Sequence, residues 1–92
     1  MKNNRHSFAR LYREALLRYL KQGSAASLRP ALRLGRRAIA LKLETLDLAL
    51  IHEQALIVQA LSIQKRDDRI QLIKRSKVFF AEVIVPLEET HR

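Results

Sequence analysis

Apolar side chains recur with helical spacing along four stretches of the chain, separated by short polar breaks. In the first stretch Phe8, Leu11, Tyr12, Ala15, Leu16, Tyr19 and Leu20 follow the i, i+3, i+4, i+7, i+8 pattern of one buried helix face. This predicts a helix over 8–22, with Ser7 as its N-cap and Gly23 as the residue that ends it. Residues 1–7 are polar and expected to be flexible. The second stretch predicts a helix over 27–43, capped by Ser24 or Ser27, with Pro30 in the first turn where its missing N–H is tolerated. Gly35 falls in its middle. Glycine there costs about 1 kcal/mol relative to alanine, so a close approach of two helices is the expected reason for it.

The third stretch, TLDLALIHEQALIVQALSI, differs from the others. Thr45 is the expected N-cap of a helix over 46–64, and apolar residues wrap most of its circumference. Its polar positions are confined mainly to Asp47, His52, Glu53, Gln54 and Gln59. A helix this apolar needs neighbours on more than one side. Three other helices can cover part of it, and a second copy of the chain is the natural cover for the remainder. The fourth stretch predicts a helix over 69–90, capped by Asp67 or Asp68, in which Pro86 should cause a kink or a stop. LEETHR after Pro86 is helix-friendly and has no terminating glycine, which leads to the expectation that the chain is the N-terminal part of a longer protein. No segment alternates with period two, so the expected architecture is all-α: a four-helix bundle in a single domain over 8–92, working as a dimer.

Composition narrows the function. Ninety-two residues bury a limited core, and oligomerisation adds to it. With no cysteine there is no disulfide, no thiolate metal site and no cysteine nucleophile. The N-terminal residues lack a continuous apolar run, because Arg10, Arg13, Glu14 and Arg18 interrupt it, and the third helix is too polar for a membrane span. The expected setting is the cytoplasm, with no membrane insertion. His6, His52 and His91 have no second ligand at i+3 or i+4, and position 56 is Leu where a HExxH motif needs His. No nucleophile elbow or phosphate loop is present in the sequence. A non-catalytic domain without metal or cofactor is therefore expected.

The net charge of +9 raises nucleic acid or an acidic protein as partners. Arg29, Arg33 and Arg36 share one face of the second helix, and Arg37 widens the stripe into a candidate docking surface. No recognition-helix pattern accompanies it, and the aromatics lie on apolar faces, so the leading reading of the stripe is a solvated, solubilising surface, followed by docking of an acidic protein surface, with nucleic acid last. A small basic nucleic-acid-binding protein is the alternative reading.

LYREALLRYL, with its spaced pair Tyr12 and Tyr19, resembles the opening helix of the N-terminal domain of RsbU phosphatases and of the C-terminal domain of KaiA. The segment from Ser27 to His52 also resembles the RsbU domain, through Ser27-Leu28, Ala31, Arg36, Ile39, Leu43 and the pair Ile51-His52. The resemblance implies a homodimeric four-helix module that docks a protein partner, such as a switch kinase or another signalling protein. It also implies relay of that event to a downstream output domain, a phosphatase or a histidine kinase. Tyr12, Tyr19, Leu50, Ile51, His52 and Leu56 are the expected packing or dimer residues.

Overall fold

A computed structural model describes residues 4–90. They form four helices: α1 (Asn4–Gln22), α2 (Arg29–Ala40), α3 (Thr45–Leu61) and α4 (Arg66–Thr90), with a single 3-10 turn at Gly23–Ala25. No strand occurs among the described residues. The all-α, four-helix expectation holds. α1 and α4 run through the middle of the bundle and pack on each other. α2 lies against both, most extensively against α4, and α3 lies against both on the other side.

The core is one cluster fed by all four helices. Phe8, Tyr12 and Leu16 come from α1, and Ala31, Leu34 and Ala38 from α2. Leu48, Ile51 and Ala55 come from α3, and Phe79, Val83 and Leu87 from α4. In each helix these positions repeat at three- or four-residue intervals, which is why the 3.6-residue period was legible.

The helix ends differ from the sequence expectations in instructive ways. α1 already includes Asn4, so Ser7 lies inside the helix and caps nothing. Arg5, in the first turn of α1, reaches Asp47 on α3 at 2.8 Å, a tie between segments that local propensity does not register. α2 begins at Arg29, not at residue 27, although the Ser27 hydroxyl does accept from the Arg29 N–H at 3.1 Å. α2 ends earlier than predicted, at Ala40. Leu43 N–H donates to the Ala38 carbonyl and Lys42 N–H to that of Ile39, with Lys42 itself at φ 62°. This is a Schellman closure with lysine in the left-handed position that glycine usually takes. The N-cap of α3 is Glu44, not Thr45, and its N–H donates to Asp47 Oδ2 at 2.9 Å in a capping box. α3 ends at Leu61, three residues before the predicted limit. α4 starts at Arg66, which moves Asp67 and Asp68 from cap positions into the first turn, where their charge suits the positive helix end.

Pro86 does not stop α4, which continues to Thr90. The proline is buried and faces Gly35 of α2. A Cβ on Gly35 would lie 2.9 Å from Cγ and Cδ of Pro86 and would collide with the Val83 carbonyl oxygen. The bare glycine lets the α2 backbone settle onto the proline turn of α4. This bears out close helix packing as the reason for Gly35. Replacing Gly35 with alanine gains helix propensity but overpacks a backbone contact that cannot rotate away. We expect Gly35→Ala to lose about 1–3 kcal/mol net, read as a lower midpoint in thermal unfolding followed by circular dichroism.

Candidate functional site

Two of the residues singled out in the sequence come together inside the bundle. Tyr12 is fully buried on α1, and its hydroxyl lies 2.6 Å from Nδ1 of half-buried His52 on α3. Among the described residues no other acceptor meets the phenol, so the pairing that satisfies it has the tyrosine donating and the imidazole accepting, with the histidine proton on Nε2. The rings meet edge to face at 5.8 Å, and Tyr12 makes a second edge contact with Phe79 at 5.5 Å. Phe80 lies against the other side of His52 at 4.8 Å. Burial pushes the Tyr12 phenol far above its ordinary range and holds the His52 imidazole below its usual value of 6.5. Both groups stay neutral near pH 7, which is what this hydrogen bond requires. The pair joins α1 to α3 and offers no free acid, base or nucleophile.

Tyr19, the second motif tyrosine, serves a different contact. It packs on Phe79 at 5.3 Å and carries the Arg75 guanidinium over its ring at 4.9 Å. Arg75 also donates to the carbonyls of Tyr19, Leu20 and Gly23 at 2.8–2.9 Å. It thus satisfies the open C-terminal end of α1 with a cation, where the helix dipole favours one. Sequence reasoning missed Arg75, because nothing local separates it from Lys74 and Lys77.

The remaining expected packing residues divide. Ile51 is in the core and Leu56 is partly buried, whereas Leu50 is 45% exposed. Leu50 belongs to a bare stripe on α3 with Leu46 at 70%, Ile57 at 50% and Leu61 at 80% exposure. At 100° per residue these four fall within an arc of about 60°, opposite the buried Leu48 and Ala55. The bundle covers α3 on one side only. Ile70 and Ile73 in the first half of α4 are also exposed.

The arginine stripe also divides. All four arginines are exposed, but Arg29 and Arg36 line a shallow depression with Leu32 and Arg33. Arg37 instead borders a groove between α1 and α2, and Arg33 lines both. The groove floor is Leu11, Ala15, Pro30 and Leu34, and Glu14 and Arg18 stand on the α1 side. Arg18 was not part of the expected stripe, and only helix packing brings it opposite Arg33 and Arg37.

No group of three metal-ligating side chains converges among the described residues, and His91 lies outside them. None of the described helices is long and apolar enough to cross a membrane. Residues 10–89 match the family model of the N-terminal domain of phosphoserine phosphatase RsbU. The chain belongs to this family. The match spans all four helices of the RsbU N-terminal-type domain, and the Tyr12–His52 pair that ties α1 to α3 lies within it. No curated protein sequence and no solved structure gives a significant match.

The buried pair makes two predictions. Tyr12→Phe removes the donor and leaves a half-buried imidazole nitrogen without its partner, so stability should fall by about 1 kcal/mol in urea unfolding. Stability should also depend on pH through His52. Its folded value lies below the unfolded one, so in the window between them the unfolded chain binds more protons. The His52 contribution is therefore complete above the unfolded value of 6.5 and is lost as pH falls through the folded value. The urea midpoint should drop as pH falls from above the unfolded value of 6.5 through the lower folded one, and His52→Gln should flatten that slope.

Proposed function

We propose that this RsbU-type domain is a non-catalytic regulatory module of the cytoplasm. It pairs with a second copy through the bare face of α3, takes up a protein partner, and passes the change in helix packing through α4 to a phosphatase output domain. The observation that carries this reading is the stripe of Leu46, Leu50, Ile57 and Leu61. Covering a large aliphatic side chain is worth roughly 1.5–3 kcal/mol, and four on one arc give a second copy a reason to bind. A two-fold pairing would set each stripe against its own counterpart. The family adds the output: its matching model is named for the N-terminal domain of a phosphoserine phosphatase. α4 suits the relay, because it packs against every other helix and so responds to any of them.

Light scattering coupled to size exclusion tests the first step. The expected result is a dimer that persists on dilution and in high salt, because its contact is apolar. Leu50→Glu combined with Ile57→Glu, both at exposed positions, should give a helical monomer. A wild-type chain that is monomeric throughout the series would sink the pairing. The relay is tested by fusing a phosphatase domain after Arg92, where activity should respond to the same α3 substitutions.

A further inference from the structure

Charge is distributed unevenly along the sequence and, through the fold, around the bundle. Residues 1–43 carry eleven Lys and Arg against one acidic side chain, Glu14, whereas residues 44–92 carry seven against eight. The excess behind the net charge of +9 thus resides in α1, α2 and their flanks. Within that half, the packing of α1 on α2 leaves a groove with an apolar floor and Arg18, Arg33 and Arg37 along its edges. None of these three guanidinium groups is neutralised: the one ion pair among the described residues joins Arg5 to Asp47. Three cations and one carboxylate, Glu14, around an apolar floor leave a net positive rim that gains from an anionic occupant.

We infer that the α1–α2 groove is the docking site for an acidic, amphipathic peptide segment of a partner protein. An aliphatic or aromatic anchor of that segment sits on Leu11 and Leu34, and flanking carboxylates pair with Arg18, Arg33 and Arg37. The apolar floor selects a protein segment over nucleic acid. A sugar–phosphate backbone has nothing to place on Leu11, which is 39% exposed, and Glu14 at the edge repels phosphate. The aromatic rings that could stack on bases are engaged elsewhere: Phe8 and Tyr12 are buried, and Tyr19 lies under Arg75. Arginine suits the carboxylate role, since its planar fork donates to both oxygens at once. The groove involves α2, and the bare stripe lies on α3 across the bundle, so both surfaces are open to occupation together.

This assignment deepens the proposed docking role and rests on it, but it can fail by itself. A random twelve-residue peptide library displayed on phage, selected against the immobilised 92-residue protein, identifies what the groove accepts. Enriched peptides are expected to combine an apolar anchor with Asp or Glu on either side. In fluorescence anisotropy with the labelled peptide, Arg33→Glu with Arg37→Glu should weaken binding by about tenfold or more. Leu11→Ser should weaken it while leaving its salt dependence in place. The proposal is overturned if no peptide is enriched, or if enriched peptides are indifferent to the arginine reversals. It is also overturned if poly-glutamate binds as well as the anchored peptides, or if a DNA duplex competes at the same arginines with a steeper salt dependence. Light scattering on the arginine variant separates the two readings, because loss of the groove leaves the α3 pairing intact.

Discussion

The close approach of α2 to α4 at Gly35 sets the geometry of this domain. Side chains normally hold helix axes 8–10 Å apart. Here a position without Cβ meets a carbonyl oxygen and a proline ring, so backbone rests on backbone. Such a contact has no rotamers with which to adjust, and it fixes the register of α2 along α4. Ala31 and Ala38, one turn either side of Gly35, are fully buried and continue the narrow seam. Pro86 gives up one helical hydrogen bond, yet the helix continues because its ring is packed and buried.

From that register the two outer surfaces follow. With α2 seated on α4 and α1, its arginines must point outward, and Arg33 and Arg37 end beside Arg18. On the other side α3 is held by Leu48, Ile51 and Ala55 in the core, by Arg5–Asp47 near its start, and by Tyr12–His52 at its middle. These fastenings all lie on one flank of α3. The opposite flank of leucine and isoleucine is left uncovered by the other three helices. One half of the molecule therefore presents cation around an apolar groove, and the other presents an apolar stripe.

The two tyrosines show how one motif can serve unlike ends. Tyr12 and Tyr19 are seven residues apart on one face of α1, and both contact Phe79. Tyr12 lies deep, so its hydroxyl needs an internal acceptor, and His52 supplies one while remaining neutral. Tyr19 lies nearer the helix end, where Arg75 spans its ring and the last carbonyls. No buried side-chain nitrogen or oxygen among the described residues is left without a hydrogen-bond partner. Completeness of this kind lets the Tyr12–His52 pair hold α1 against α3 at no desolvation cost from an unpaired buried group.

The sequence by itself determined the four helices, the all-α class, the family resemblance and the reason for Gly35, because each depends on periodicity, motif order or a residue with a unique conformational cost. It also marked α3 as too apolar for one wet face. Helix ends were legible only to within a few residues: Ser7, Thr45 and Asp67 are good local caps, yet they lie inside α1, α3 and α4. Tertiary structure alone decided that Arg75 closes α1, that Tyr12 meets His52, and that Leu50 stays bare while Ile51, one residue on, is buried. It alone grouped Arg18 with Arg33 and Arg37 and parted Arg29 from Arg37. Local pattern states which face of a helix is apolar or basic; only the packing of that helix against the others states which part of the face remains in water, and beside what.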